Sequence, residues 1–212
     1  MFATLPPAWV DGELQRLPTG RHVVALTFDG GGNDVGARRV IETLRRTGTP
    51  ATFFLTGRFV RLYPVVAREV GHGRSFAVGN HTVDHPDMTK LSDAQARWEI
   101  AAARTRIMRA TGRDPRPLFR FPYGAYNGRL QRIVRALGFE DVRWTVDTWG
   151  WMGAAHQSAS GVVRRVVEHL VPGEIVLMHL GAARDGATLD SSALPEVIRA
   201  VSARGYRFVT LR

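Results

Sequence analysis

About seven strand-like apolar runs alternate with segments of helical period, and that rhythm limits the fold of this chain more tightly than any other feature. The runs lie at residues 22–28, 51–55, 75–79, 118–121, 142–146, 174–178 and 206–210, rich in Val, Phe, Leu and Ile. Between them the helices are read from period and caps. Ser92 with Gln95 makes a capping box ahead of a face formed by Ile100, Ala103 and Ile107, and Gly112 follows the end. Leu130, Ile133, Val134 and Leu137 form a stripe closed by Gly138. Val162, Val163, Val166, Val167 and Leu170 do the same before Pro172 and Gly173, and Leu194, Val197, Ile198 and Val201 before Gly205. Strand and helix in steady alternation predict a parallel sheet with right-handed crossovers, opened flat or closed as a barrel.

A chain of 212 residues suffices for one substantial core without staples, so a single domain over 21–212 is expected, preceded by a Pro-rich, aperiodic arm at 1–20. The absence of Cys excludes disulfides, thiolate metal sites and a Cys nucleophile together. A formal charge of +10, with Lys90 the one lysine, favours anionic partners. No run of five basic residues and no nucleic-acid reader module occurs, so nucleic acid is not the expected partner. No stretch reaches the roughly 18 apolar residues of a membrane span. Residues 1–20 lack the basic start and apolar centre of a signal peptide.

In a parallel sheet or barrel, ligand sites form at the carboxyl ends of the strands. Asp29, His81, Arg120, Asp147 and His179 all fall at or just beyond such ends. Asp29 closes the run VVALTF and precedes Gly30, Gly31 and Gly32, where an acid at the lip of a glycine turn serves as base or ligand, or merely caps the loop. The Gly-Lys-Ser/Thr ending of a phosphate loop is absent. His81 and His85 in NHTVDH have the spacing that converges two imidazoles on zinc or a similar divalent ion, the alternative being two surface histidines. Asn80 or Asp84 would orient a ring. A third ligand is then needed, with Asp29 the leading candidate and Asp34 and Asp84 weaker ones.

Arg120 opens RFPYG and could orient Asp29, while the Tyr123 backbone amide could donate to an oxyanion; a plain structural turn is the alternative. Trp149 and Trp151 in DTWGW offer flat walls to a sugar ring or belong to the core. His179 ends the apolar run IVLMH, as a general acid or as a satisfied core histidine. His72, His156 and His169 have no comparable setting and are read as surface or loop residues.

Taken in order, TFD, HTVDH, RFPYG, DTWGW and LMH resemble the five motifs of the polysaccharide deacetylase family, the NodB-homology domain of carbohydrate esterase family four, from residue 21 to the C-terminus. The resemblance implies an α/β fold, a distorted (β/α) barrel with about seven parallel strands, and metal-dependent removal of N-acetyl, sometimes O-acetyl, groups from polysaccharides. Carried over by position, Asp29 matches the catalytic base, His81 and His85 the metal-binding histidines, Arg120 the residue orienting the base and Tyr123 the oxyanion donor. Leu177 matches a residue lining the acetyl pocket, and His179 the general acid.

Two positions depart from the family pattern. The second Asp that usually follows the base and binds the metal is Gly30, and the Asp that usually precedes the last Trp of the fourth motif and holds the acid His is Gly150. The first departure leaves three arrangements: Asp29 on the metal beside both histidines, Asp34 or a neighbour reaching back across the glycines, or a metal-free relative that binds glycan without hydrolysing it. The second makes Asp147 the expected partner of His179. A metal-independent amide hydrolase on the same barrel is a further alternative. The expected cofactor is a divalent metal, zinc first, with cobalt, manganese or nickel as alternatives. The basic surface orders the substrates as anionic cell-wall peptidoglycan, then chitooligosaccharide, then acetylated xylan. A monomer is expected, secreted or wall-associated with its export signal absent from this sequence, a cytosolic location being the alternative.

Overall fold

The structure, a computed structural model, describes residues 13–211. Its strands are β1 (Glu13–Leu14), β2 (Val23–Gly30), β3 (Ala51–Leu55), β4 (Phe76–Asn80), β5 (Leu118–Phe119), β6 (Glu140–Val142), β7 (Val146–Asp147), β8 (Glu174–His179) and β9 (Arg207–Phe208). Its helices are α1 (Ala37–Thr47), α2 (Gly57–Leu62), α3 (Pro64–His72), α4 (Asp93–Thr111), α5 (Gly128–Ala136), α6 (Ala159–Glu168) and α7 (Leu189–Ser202). The strands form one sheet in the order β1-β6-β5-β4-β3-β2-β8-β7, with β9 added to β2, and every pairing is parallel. This is the expected α/β distorted barrel, curled but not continuously hydrogen-bonded around its circumference.

Local chemistry sets most of these boundaries. The capping box at Ser92 and Gln95 starts α4, and Gly112 ends it in a left-handed conformation at φ 72°. Thr56, Asn127 and Ser158 each accept a backbone N–H three residues on, opening α2, α5 and α6. Strand β2 is buried from end to end, as a central strand covered on both faces must be. Alternation along it sorts the side chains: Val24, Leu26 and Phe28 join the core beneath the helices with Ile41, Phe53 and Val197, whereas Ala25 joins the barrel interior with Phe54, Ala77 and Ile175.

Two expectations are corrected. The apolar run 142–146 is not one strand: β6 pairs with β5, β7 pairs with β8, and these lie toward opposite ends of the sheet order. Residues 143–145 cross the seam of the barrel between them. The Arg120 guanidinium lies there, donating from Nε to the Val142 carbonyl at 3.1 Å and from Nη2 to the Arg143 carbonyl at 3.0 Å. Carbonyls engaged by a side chain are not free for a ladder. Second, the segment 13–20 is more than a covering arm, because β1 pairs with β6 and the Leu17 N–H donates to the Gly173 carbonyl at 2.8 Å. Residues 1–12 of the arm expected at 1–20 lie outside the described residues.

Candidate active site

The carboxyl ends of β2, β3, β4, β7 and β8 open into one cleft of about 830 Å³, lined by Asp29, His81, His85, Tyr123, Asp147, Trp151, Leu177 and His179 among others. These eight residues, all singled out from sequence, thus face one space. Asp29 lies inside β2, 7% exposed, rather than on a turn. Its Oδ1 accepts a 2.7 Å bond from Arg120 Nη1, and its Oδ2 stands 3.3 Å from His81 Nε2.

Arg120 is 1% exposed, and the same Nη1 also donates to Thr27 Oγ1 at 2.9 Å. The guanidinium lies over the Phe54 ring with its carbon 4.1 Å from the centroid. Burial works to raise the Asp29 carboxyl, but Arg120, then His81 and His179, outweigh it and hold the group below the ordinary carboxylate range. Asp29 is therefore an anion whose direction is fixed by Arg120.

The His81 ring is oriented by the Arg120 backbone, not by Asn80 or Asp84: its Nδ1 lies 2.8 Å from the Arg120 carbonyl oxygen. An Nδ1–H donating there leaves Nε2 with its lone pair toward Asp29. Asn80 instead shapes the backbone, accepting the Thr82 N–H and donating to the Ile100 carbonyl. Glu99 of α4 accepts the N–H groups of Val83 at 2.7 Å and Asp84 at 3.2 Å, so a buried carboxylate braces the loop between the two histidines. His85 packs edge-on to His81 at 4.7 Å between centroids and to Tyr123 at 4.6 Å. Among the described residues the positive-φ non-glycines are Thr82, His85, Tyr123 and Trp149, all in loops at this end of the barrel. Such conformations cost on the order of 1–3 kcal/mol each and cluster at functional sites.

Burial keeps both histidines neutral, lowering His81 despite the pull of Asp29 and bringing His85 down to about 4 with help from His81. Two neutral imidazoles fit a divalent ion, and Asp29 Oδ2 adjoins one of them. Among the described residues, however, no group of three His, Cys, Asp or Glu side chains is arranged to hold an ion. Asp34 is not among the cleft-lining residues, whereas Asp84 is.

Gly30 has a structural cause. It continues β2 beyond Asp29, so alternation turns it toward the helices, where a Cβ would meet Leu55 at 2.9 Å, Leu180 at 3.2 Å and Phe59 at 3.4 Å. A side chain at this position points away from the cleft.

At the far side of the cleft the expected pairing of His179 with Asp147 is corrected. Asp147 accepts the Trp149 N–H at 2.9 Å and Trp151 Nε1 at 3.2 Å. The carboxylate against His179 is Asp190, with Oδ2 at 3.6 Å from Nδ1. Burial opposes charge on His179, but Asp190, Asp29 and Asp147 outweigh it and raise its pKa. Trp149 is corrected too: it is not among the lining residues, and Arg165 stacks on it with the guanidinium carbon 3.4 Å from the centroid. Trp144, passed over in the sequence, lines the cleft in its place beside Trp151 and Leu177. Asp190, Glu99 and Trp144 all lie outside recognisable motifs; Trp144 sits in the middle of the apolar run 142–146, and only the break of that run places it beyond a strand end.

The family profile described as polysaccharide deacetylase matches residues 16–142. The chitooligosaccharide deacetylase of Azorhizobium caulinodans is 30% identical over 207 residues, 92% of this chain and 95% of that protein. The peptidoglycan-N-acetylglucosamine deacetylase of Bacillus cereus is 30% identical over 210 residues, 97% of this chain and 74% of that one. Among solved structures, the carbohydrate esterase family four pseudoenzyme BA3943 of Bacillus anthracis superimposes with a TM-score of 0.86 at 27% identity, covering 96% of this chain and 68% of the other. The chain belongs to the polysaccharide deacetylase family. Among the described residues no helix is long and apolar enough to cross a membrane.

Proposed function

We propose that the protein removes N-acetyl groups from N-acetylglucosamine-type glycans, with cell-wall peptidoglycan the first substrate and chitooligosaccharide the second, releasing acetate. One observation carries the reading: Asp29, anionic and clamped by Arg120, shares a cleft with His81, His85, Tyr123 and His179. Arg58 and Arg184 on the cleft lining and the net charge of +10 favour an anionic wall polymer, and with it a secreted or wall-associated protein, which we take to act as a monomer.

His81 and His85, with Asp29 Oδ2 alongside, would hold a divalent ion, zinc first, which when bound supplies polarisation of the acetyl carbonyl and of the attacking water. Asp29 takes the proton of that water, and Arg120 keeps the carboxylate aimed and charged while it does so. The Tyr123 backbone N–H donates to the developing oxyanion. His179 gives its proton to the departing sugar nitrogen as the C–N bond breaks, leaving a free amine and acetate. Leu177 and Trp151 flank the acetyl group and sugar ring.

The test is acetate release from peptidoglycan fragments and chitooligomers by the purified protein, with and without thorough chelation. Asp29→Asn and His179→Ala should each lower turnover by about 10²- to 10⁴-fold. Turnover unaffected by chelation and by His81→Ala would leave the metal-independent hydrolase. Gly30, and the likeness to a pseudoenzyme, favour one other reading, a glycan-binding protein without hydrolysis; retention of the glycan with no acetate released would establish it.

A further inference from the structure

Asp190 stands in the first turn of α7, yet it is 3% exposed and both its oxygens are engaged. Oδ1 accepts from Thr148 Oγ1 at 2.7 Å, and Oδ2 accepts the His179 backbone N–H at 2.9 Å. Oδ2 also lies 3.6 Å from His179 Nδ1, a buried nitrogen with no hydrogen-bond partner. A buried polar atom left unpaired is costly, so the ring gains from any small approach to this carboxylate. Asp147 is not free to serve instead, since Trp149 and Trp151 hold it.

The same carboxylate fills the space that a side chain at position 150 would need. A Cβ on Gly150 would fall 2.2 Å from Asp190 Oδ1 and 2.6 Å from Oδ2. Gly150 is not among the positive-φ glycines, so the backbone there does not itself demand glycine. Asp190 does.

We propose that Asp190 is the positioning residue for His179, holding Nδ1–H so that Nε2 is the nitrogen left to face the substrate, and that Gly150 and Asp190 form one device. The carboxylate behind the ring is delivered from α7, and position 150 is glycine to admit it. This rests on the reading of His179 as the proton donor, and the experiment separates the two ideas.

Three variants are compared with wild type: Asp190→Asn, Asp190→Ala, and the swap Gly150→Asp with Asp190→Ala. Each is assayed for kcat and KM on a chitooligomer and examined by ¹⁵N NMR of the His179 imidazole. Asp190→Asn should lower kcat by about 10²-fold with KM within about twofold, a loss in the range of misaligned general catalysts. At a pH where the ring is neutral, it should also move the ring from an Nδ1–H tautomer to a mixture. The swap should regain at least tenfold of the kcat lost in Asp190→Ala, which a purely structural role for Asp190 would not allow. An unchanged kcat in Asp190→Asn, or an unchanged ring spectrum, overturns the proposal. If wild type releases no acetate, the deacetylase reading falls and the ring spectrum alone decides the role of Asp190.

Discussion

Glu174 begins β8 with no exposed surface, its Oε2 accepting the Val171 N–H at 3.1 Å and its Oε1 left without a partner. Burial pushes its carboxyl from an ordinary 4.5 up to about 7, and no cation offsets it. Each pH unit of such a displacement corresponds to about 1.4 kcal/mol. Below pH 4.5 the acid is protonated whether the chain is folded or not, and contributes no pH dependence. Between 4.5 and about 7 the unfolded chain ionises freely while the folded one keeps its proton, so stability falls as pH rises. Above that window the folded state bears the full cost, roughly 3 kcal/mol. Glu174→Gln is a fixed copy of the protonated form and keeps the acceptor for Val171. It should therefore stabilise by roughly 3 kcal/mol at pH 8 and by about 1 kcal/mol at pH 5. For a chain of this size that is a Tm gain of about 6 to 12 °C at pH 8. Calorimetry of both proteins across pH 5 to 8 measures it. An equal Tm difference at both ends, or none at pH 8, refutes the reasoning.

Arg120→Met should cost about 3–5 kcal/mol in urea denaturation, because it strands Asp29 as an uncompensated buried anion and frees the Val142 and Arg143 carbonyls at the seam; a loss under about 1 kcal/mol would contradict the clamp. Trp151→Ala should raise KM severalfold at nearly constant kcat, whereas Trp149→Ala should leave KM alone, since Trp149 packs on Arg165 outside the cleft lining. Equal KM effects would contradict that division. Gly30→Asp should destabilise by several kcal/mol without tightening zinc binding in calorimetric titration, because its carboxylate would enter the Leu55, Phe59 and Leu180 cluster. A gain in zinc affinity would show that β2 ends at Asp29 when a ligand is offered.

What the sequence disclosed follows the range of the interactions responsible. The core strands and the α4 capping box are local patterns, and they appear within a residue or two of where period and caps put them. The break at 143–145 has no local signal: Val142 to Val146 has the composition of a strand, and the guanidinium that engages its carbonyls comes from 22 residues away. Asp190 was hidden for a different reason. An Asp in the first turn of a helix is the ordinary complement of the helix dipole, and it becomes a partner of His179 only when folding sets α7 against the end of β8.

The two glycines that depart from the family pattern look alike in sequence and are opposite in structure. Position 150 faces the carboxylate of Asp190, so the loss there is offset from another element. Position 30 faces the helices, because β2 keeps its alternation through Gly30, and among the described residues no group of three metal-ligating side chains makes up for it. The gap in the ligand set at position 30 therefore belongs to the path of the strand as much as to the side chain. Restoring a second carboxylate beside Asp29 would require β2 to leave its extended path one residue earlier, at the cost of the Gly30 carbonyl bond that the Thr56 N–H makes at 3.0 Å.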